Sequence, residues 1–358
     1  MGFRRGTVAA VNPGFWAGKR VLLTGHTGFK GGWAAIWLSR MGARVTGLAL
    51  APDQRPCLFE QAKVAARVES RMADLRHPDD IASVLSGKTF DLVLHMAAQP
   101  IVRTSVEDPI GTFETNVMGT ANLLQALRGQ SSLQAILVIT SDKVYANHET
   151  GGAFVEGDNL GGKDPYSASK AATEIIVQSF ARSYFQTVPV GTARGGNVIG
   201  GGDFSRDRLV ADIVRAVQAG EAVTLRHPEA TRPWQHVLDC LAGYFCHIEA
   251  LATDPATPRA LNFGPRPGGA QVSVGELASL GVKAMNGQPW RHEADPNSLE
   301  AQTLAIDATL AKRAIGFESR LDAPEAVALT MDWYRRQAAG EDALSLCDAQ
   351  IADYEGRS

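Results

Sequence analysis

The sequence predicts an α/β protein built on a doubly wound parallel sheet, and three observations carry that prediction. Apolar, strand-like runs alternate with helical patterns through the first half of the chain. The runs are short and continuous, which is typical of strands buried on both faces of a parallel sheet. A glycine-rich turn follows the first run and opens the first long helical pattern. Alternation of this kind favours βαβ units.

The elements follow one another in a regular order. Strands are predicted over residues 20–23, 44–50, 91–96, 135–140 and 188–193. The spacing of apolar residues between them predicts helices over 32–41, 81–85, 113–127 and 167–184. After residue 195 the chain changes to a glycine-rich loop, a predicted helix over 209–219 and shorter elements. This change predicts a smaller, mixed α/β C-terminal domain over 196–358, interleaved with a first domain over 19–195.

Composition excludes several classes of function. The 358 residues are 45% hydrophobic and 20% charged, and the formal net charge of −3 gives no overall field for nucleic acid. The apolar runs fall short of the roughly 20 residues that a membrane span needs. Four scattered cysteines without metal-ligand spacing predict buried or free thiols in a reducing compartment and no metal site. We expect a cytoplasmic protein with neither a nucleic-acid nor a membrane partner, and a loose leader over 1–18.

The segment TGHTGFKGG, residues 24–32, places three glycines three positions apart at a strand-to-helix turn. In this context the pattern is typical of a Rossmann dinucleotide site, where glycines allow a tight turn, the approach of a pyrophosphate and close packing of helix on strand. The helix N-terminus then offers free N–H groups to the phosphates. Lys30 adds a charge nearby, or is simply a solvated lysine. The candidate cofactor residues here are Gly25, Thr27, Gly28, Phe29, Lys30 and Gly31.

Two acidic residues are candidates for the adenosine half of a dinucleotide. In NAD sites an acidic residue about 20 residues after the glycines holds the ribose hydroxyls, and Asp53 is the candidate here. Arg44 and Arg55 are the nearest cations, so the sequence leaves NADP open beside NAD. Asp74 and Leu75 follow a further short predicted strand, where the carboxylate could accept from the adenine amino group. A plain turn aspartate explains Asp74 equally well.

The segment YSASK places Tyr166 and Lys170 four positions apart at a helix start, behind Asp164 and Pro165. On a helix this spacing puts both side chains on one face. A lysine ammonium there favours the phenolate and lowers the pKa of the tyrosine from about 10. The pair is therefore predicted to take a proton from a sugar hydroxyl while hydride leaves the same carbon.

Polar residues follow the fourth predicted strand in the segment TSDKVY, residues 140–145. Ser141, Asp142 and Lys143 would emerge at the carboxyl edge of the sheet, where open α/β sheets bind their ligands. The alternative is a polar turn capped by Asp142. We predict that the three side chains belong to the active site.

At this point the chain resembles the extended short-chain dehydrogenase/reductase family, and within it the nucleotide-sugar 4,6-dehydratases. The resemblance runs from about residue 15 to residue 334 and includes TGHTGFKG, HMAAQPIVRTS, TNVMGT, TSDKVY, YSASK, RGGNVIGGGD and TRPWQHV. Three of these segments, TGHTGFKG, TSDK and TRPWQHV, look most like the enzymes of the family that act on CDP-glucose. The chain departs from the family pattern at Gly195, where alanine is usual, and at Phe204, where tryptophan is common.

The resemblance implies a role for each candidate catalytic residue. Tyr166, supported by Lys170 and Ser141, would oxidise the C4 hydroxyl with NAD as hydride acceptor. Asp142 would then protonate the departing C6 hydroxyl, which requires a raised pKa. Lys143 stands where related enzymes place a glutamate base. The sequence leaves open whether Lys143 is that base or stabilises an enolate electrostatically.

The resemblance also implies binding residues and a partner. Ala97 and Ala98 are expected beside the cofactor. The candidates for binding the nucleotide sugar are Gln99, Asn197, Arg206, Arg208, Arg232 and His236. The helices over 113–127 and 167–184 correspond to the pair that forms a four-helix contact in the family, so a homodimer is expected.

Three other functions compete with the dehydratase. A nucleotide-sugar 4-epimerase uses the same tyrosine and lysine but needs no acid and base for elimination, so the Asp142-Lys143 pair disfavours it. A non-catalytic dinucleotide-sensing protein has no need of Ser141, Tyr166 and Lys170 together. A simple reductase would consume NAD(P)H stoichiometrically, whereas a dehydratase recycles its cofactor.

Overall fold

A computed structural model describes residues 9–149, 151–266, 268–269, 271–294 and 303–357. A seven-stranded sheet forms the centre of the molecule, with strands ordered β11-β6-β5-β4-β1-β2-β3 and every neighbouring pair parallel. The order in which strands are added to the sheet reverses at β1, because β2 and β3 lie on one side of β1 and β4 lies on the other. At such a switch point the loops leaving the carboxyl ends of the strands separate and open a crevice for ligands.

The strands are β1 (Arg20–Thr24), β2 (Arg44–Ala49), β3 (Glu69–Met72), β4 (Leu92–His95), β5 (Ala135–Ile139), β6 (Val190–Gly195), β7 (Val198–Ile199), β8 (Thr224–Leu225), β9 (Thr231–Arg232), β10 (Gln235–His236), β11 (Ala260–Phe263), β12 (Val272–Ser273) and β13 (Arg291–His292). The short strands form three two-stranded pairs, β7 with β10, β9 with β12 and β8 with β13. These pairs build the mixed C-terminal part that the sequence predicted.

The helices are α1 (Pro13–Trp16), α2 (Phe29–Arg40), α3 (Leu58–Gln61), α4 (Pro78–Leu85), α5 (Val102–Glu107), α6 (Pro109–Phe113), α7 (Gly119–Leu127), α8 (Pro165–Tyr184), α9 (Leu209–Ala219), α10 (Val237–Thr253), α11 (Val274–Ala284), α12 (Thr309–Ile315), α13 (Ala323–Ala338) and α14 (Ala343–Gly356). A π turn at Glu114–Met118 joins α6 to α7, and a 3₁₀ turn at Asp142–Val144 follows β5.

The apolar strands bury side chains on both faces of the sheet, as the continuous runs predicted. In β1, Val21 and Leu23 pack with α2 and α10 on one face, while Leu22 packs with α4, α7 and α8 on the other. Alternate side chains of a strand point to opposite faces, so a run without polar residues has to be covered by helices on both sides. The predicted doubly wound Rossmann fold is confirmed.

Of the described chain after residue 195, one strand, β11, belongs to the central sheet. Residues of β11 pair in register with β6, beginning with Ala260 beside Thr192. The division into domains at residue 195 stays a prediction from the sequence, and β11 shows how the two parts of the chain interleave in the sheet.

The segment before β1 is tied to the fold, so the expected loose leader is wrong for residues 12–16. The Asn12 side chain caps α1, and Trp16 is fully buried against Phe245. The Trp16 indole donates to Glu249 Oε1 at 2.6 Å, and the Asn12 N–H donates to the same carboxylate at 3.1 Å. Residues 1–8 of the predicted leader lie outside the described residues.

Glu249 makes the stability of this attachment dependent on pH. Burial raises the pKa of Glu249 from 4.5 to about 7, so the folded state carries a growing cost of ionisation as pH rises from 4.5 to 7. We expect Glu249→Gln to raise the melting temperature above that of the unaltered protein at about pH 8 and to change it little at about pH 5. Thermal unfolding at the two pH values measures the difference. Exposed Glu221→Gln is the control, and an effect of Glu249→Gln that does not vary with pH would contradict this account.

The four cysteines are free and buried, which confirms that prediction. Among the helices of the described chain, none is long and apolar enough to cross a membrane.

Candidate active site

Two cavities meet at the carboxyl edge of the sheet. The first, of about 980 Å³, lies over the glycine turn and the ends of β1, β2 and β4, and we call it the cofactor cavity. The second, of about 630 Å³, runs from the turn after β5 to β8 and α9, and we call it the substrate cavity. Phe29, Lys30, Thr140 and Tyr166 line both, so they stand where the two cavities join.

The glycine turn fits a dinucleotide for steric reasons. Gly25 has φ of +79°, and a Cβ at this position would lie 2.8 Å from the Ala97 nitrogen. A Cβ on Gly31 would lie 2.0 Å from the Gly25 carbonyl oxygen, so α2 can approach β1 this closely only without one. Within the described chain no side chain caps α2, whose N-cap is Gly28. Its first N–H groups therefore remain available for a phosphate.

The predicted cofactor residues come together around this turn. The cofactor cavity is lined by Gly25, Thr27, Gly28, Phe29, Lys30, Gly31, Asp53, Asp74, Leu75, Ala97, Ala98, Tyr166 and Lys170. Thr27 fixes its loop by donating to the Leu50 carbonyl at 2.9 Å. Asp53 is exposed at the rim, after the end of β2.

Asp74 is already engaged by the chain. Arg76 binds its carboxylate through two nitrogens, at 3.0 and 2.7 Å, and this partner lowers the pKa of Asp74. The carboxylate is held in place at the cavity wall. A contact of Asp74 with the adenine amino group stays a prediction.

The start of α8 places the tyrosine and lysine at the sheet edge. Asp164 caps the helix by accepting from the Ser167 N–H at 2.9 Å, and Pro165 occupies the first helical position, where its missing N–H carries no penalty. Lys170 is buried and donates to the Ile139 carbonyl at 3.1 Å, which attaches α8 to the end of β5. Burial and the nearby charge of Lys30 lower the pKa of Lys170 to about 7, against the opposing charge of Glu174.

The pKa of Tyr166 is raised, not lowered. Burial is the largest cause, and the charge of Asp142 acts in the same direction, while a hydrogen bond with Ser141 and the charge of Arg208 oppose them. The sequence prediction was wrong because desolvation of the phenolate outweighs the nearby cations in this site. Tyr166 therefore holds its proton at neutral pH in the protein alone.

Asp142 has the environment of a general acid. It is 2% exposed, and burial raises its pKa despite the charges of Lys143, Arg232 and Lys30. Its Oδ1 accepts from the Ser141 hydroxyl at 2.9 Å. Its Oδ2 is buried, and within the described ranges it has no hydrogen-bond partner. A buried carboxyl with one unpaired oxygen can hold a proton and deliver it to a group in the substrate cavity.

A family model described as the NAD dependent epimerase/dehydratase family matches residues 21–264. The chain belongs to this family. It is 37% identical to CDP-glucose 4,6-dehydratase of Salmonella typhimurium, over 96% of this chain and 98% of that protein. It is 30% identical to dTDP-glucose 4,6-dehydratase of Streptomyces griseus, over 71% of this chain and 74% of the relative.

Solved structures share the architecture. UDP-glucose 4-epimerase of Thermus thermophilus, solved with NAD, has a TM-score of 0.76 at 27% identity, covering 88% of this chain and 99% of that chain. A dTDP-glucose 4,6-dehydratase of Streptomyces venezuelae, solved with NAD and TYD bound, has a TM-score of 0.75 at 23% identity, covering 91% and 99%. Membership of the epimerase/dehydratase family confirms two predictions, that the cofactor is NAD and that the protein is an NAD-dependent enzyme.

Three of the predicted substrate residues line the substrate cavity. They are Asn197, Arg208 and Arg232. Arg232 is 7% exposed, and its Nη1 donates to the Thr231 carbonyl at 2.8 Å, which fixes the guanidinium. Arg208 precedes α9, and its buried Nε has no partner in the part of the chain that the structure describes. Arginines in such a cavity suit a diphosphate, since the guanidinium group can donate two hydrogen bonds to phosphate oxygens.

The other three predicted substrate residues do not line the substrate cavity. Arg206 lines the cofactor cavity alone, whereas Arg208 lines both cavities. The Gln99 side chain donates to Thr112 at 2.9 Å and accepts from the Ile101 N–H at 2.6 Å, so it holds its own loop. His236 is fully buried, and its Nδ1 accepts from the Leu238 N–H at 3.3 Å as the N-cap of α10. His236 lines neither of the two cavities.

Sequence reasoning missed one feature of the site. It assigned Lys30 only to the cofactor phosphates, whereas Lys30 lines both cavities and its charge acts on Lys170 and Asp142. Lys30 lies in the first turn of α2 and stands 5.9 Å from the centroid of the Tyr244 ring. The motif alone held no signal for this, because Tyr244 comes from α10, far along the chain.

Tyr244 also explains why residue 195 is a glycine, where the resemblance implied an alanine. A Cβ at residue 195 would lie 2.2 Å from the Tyr244 hydroxyl oxygen. We expect Gly195→Ala to lower stability by about 1–3 kcal/mol through overpacking and to reduce activity. Adding Tyr244→Phe removes that oxygen and should recover part of the loss.

Denaturant unfolding and turnover measure both effects, and exposed Gly152→Ala is the control because its Cβ would meet open space. Equal stability of Gly195→Ala and Gly152→Ala would contradict the steric explanation.

Proposed function

We propose that the protein removes water from CDP-glucose to give CDP-4-keto-6-deoxyglucose. The observation that carries the proposal is Asp142, a buried acid with an unpaired oxygen, beside the Tyr166 and Lys170 pair where the two cavities join. A site that only oxidises or only senses a dinucleotide has no need of a second acid whose pKa is raised by burial.

The first half of the reaction is oxidation at C4. As the phenolate, which is the form able to act as a base, Tyr166 takes the proton of the C4 hydroxyl, and Ser141 lies beside both Tyr166 and Asp142 to hold that oxygen. The glycine turn and Lys170 of the cofactor cavity would hold NAD, which would supply a hydride acceptor for C4, a hydride donor for C6 and a positive ring that favours the phenolate. Lys170, whose pKa is about 7, lines the cofactor cavity beneath this point.

The second half is elimination of the C6 hydroxyl. The C4 ketone acidifies the C5 proton, which a base removes as the bond from C6 to oxygen breaks. Asp142 gives its proton to the departing oxygen, so that water leaves and Asp142 becomes the carboxylate. Lys143 lines the substrate cavity next to Asp142. Its role, as the C5 base or as a charge that stabilises the enolate, stays a prediction.

The choice of CDP-glucose rests on the relative with 37% identity over nearly the whole chain. Arg208 and Arg232, which both line the substrate cavity, support a nucleoside diphosphate. The test is to incubate the protein with NAD and, separately, with CDP-, dTDP- and UDP-glucose, and to measure the product mass. Loss of one water with CDP-glucose in preference, without net NADH, is expected. Turnover to an isomer of unchanged mass would establish a 4-epimerase instead.

We also propose a homodimer through helices α6 to α8. Their exposed apolar side chains are Ile110, Met118, Ile175 and Tyr184. Exposed large apolar side chains on helices that pack against one another are typical of a protein interface. A cytoplasmic location stays a prediction from the sequence.

Ile175, which is 59% exposed, offers the sharpest test of that interface. We expect Ile175→Glu to convert the dimer to a monomer, because the charge would be desolvated without a partner. Light scattering during size-exclusion chromatography measures the mass. Val155→Glu, at an exposed apolar residue outside these helices, is the matched control and should remain dimeric. An unaltered protein that is monomeric at micromolar concentration would overturn the proposal.

A further inference from the structure

A fully buried ion pair lies behind the catalytic residues. Glu174 of α8 and Arg194 of β6 are joined at 2.8 Å, with side chains 0% and 3% exposed. The Glu174 carboxylate accepts four hydrogen bonds. The donors are the Thr140 hydroxyl at 2.6 Å, the Thr192 hydroxyl at 2.8 Å, Arg194 Nε at 3.0 Å and Arg194 Nη2 at 2.8 Å. The carboxylate is thus fully satisfied.

The residues on both sides of the turn that carries Asp142 and Lys143 are hydrogen-bonded to this ion pair. Thr140, which donates to Glu174, comes directly before Ser141. Tyr145 comes directly after the turn, and its hydroxyl accepts from Arg194 Nη1 at 2.9 Å. The Tyr145 hydroxyl donates in turn to Asn262 Oδ1 of β11 at 2.6 Å.

Tyr145 is held from several sides and does not line the two cavities. It is 2% exposed, its ring stacks on Phe154 at 4.8 Å with an interplanar angle of 4°, and Arg194 Cζ lies 5.1 Å from the ring centroid. Arg194 Nη1 also donates to the Glu156 carbonyl at 3.1 Å. The Tyr145 hydroxyl therefore fixes where the turn ends without touching the substrate.

We propose that the Glu174–Arg194 pair and Tyr145 are positioning residues, which hold the turn 141–144 in a fixed position relative to α8. This proposal rests on the proposed function. The turn carries the groups for elimination, while Tyr166 and Lys170 on α8 carry those for oxidation. A small displacement of the turn relative to α8 should slow elimination more than oxidation, because an error of about 1 Å in placement can cost 10²-fold in rate.

Tyr145→Phe tests this, with Thr192→Val as the matched control. Each substitution removes one buried hydroxyl bonded to the ion pair, but Thr192 lies within β6, away from the turn. In a single turnover with CDP-glucose, the absorbance of reduced nicotinamide reports oxidation and its decay reports elimination and hydride return. For Tyr145→Phe we expect an unchanged rise and a decay slowed about 10-fold, so that reduced cofactor accumulates. Thr192→Val should leave the rates of both the rise and the decay within about two-fold of those of the unaltered protein.

Equal effects of the two substitutions, or equal slowing of both phases by Tyr145→Phe, would overturn the assignment and leave the pair a structural one. If Tyr145→Phe does not fold, Asn262→Ala carries the same test, because it removes the acceptor of the Tyr145 hydroxyl and Asn262 lines neither cavity. An unchanged rate of decay in Asn262→Ala would then overturn the assignment. Absence of turnover by the unaltered protein with each of the nucleotide sugars would instead overturn the proposed function, and this assignment with it.

Discussion

Replacing Asp142 by asparagine is expected to lower the rate of product formation by about 10²–10⁴-fold while leaving C4 oxidation in place. Asparagine keeps the shape of the side chain but has no proton to give to the departing C6 oxygen. Bound reduced nicotinamide should therefore accumulate during a single turnover. Absorbance follows the cofactor, and mass spectrometry follows the loss of water.

Glu156→Gln is the matched control for this substitution. Glu156 is a half-buried carboxyl whose pKa is also raised by burial, but its Oε1 accepts from the backbone N–H of Asn262 at 2.8 Å. It should form product at close to the normal rate. Product formation by Asp142→Asn at the unaltered rate would show that another group protonates the C6 oxygen.

Tyr166→Phe is expected to reduce C4 oxidation itself by about 10²–10⁴-fold. Phenylalanine cannot take the hydroxyl proton, so reduced nicotinamide should not appear, in contrast to Asp142→Asn. The same single-turnover absorbance distinguishes the two variants. Tyr354→Phe, which removes a buried hydroxyl bonded to Asp239 at 2.7 Å far from the cavities, is the control. A Tyr166→Phe protein that forms reduced nicotinamide at the normal rate would remove Tyr166 from the role of base.

The parts of the fold that the sequence predicted are those encoded locally. Apolar runs at β1, β2, β4 and β5 matched the structure to within one or two residues, since strands buried on both faces leave an uninterrupted pattern. The predicted helix over 209–219 coincides with α9, which ends at Gly220 in the left-handed region. The glycine turn and the YSASK segment were also predicted from the sequence, because local backbone geometry places the residues of each.

What the sequence could not predict depends on contacts between distant segments. His236 and Gln99 have the residue types of ligands, and only the fold shows that each bonds to its own backbone neighbourhood. Arg206 and Arg208 differ by two positions, yet Arg206 lines only the cofactor cavity while Arg208 lines both. The direction of the Tyr166 pKa shift depends on how completely the surrounding elements exclude water, which no local pattern records.

The most direct test of the dehydratase is to follow the hydrogen at C4. The account predicts that CDP-glucose carrying deuterium at C4 gives a 4-keto-6-deoxy product with deuterium at C6, because the hydride leaves C4 and returns to the same sugar within one closed site. Nuclear magnetic resonance of the product locates the label. Deuterium retained at C4 in an isomeric sugar, or found in free reduced cofactor, would contradict the account and establish an epimerase or a simple dehydrogenase respectively.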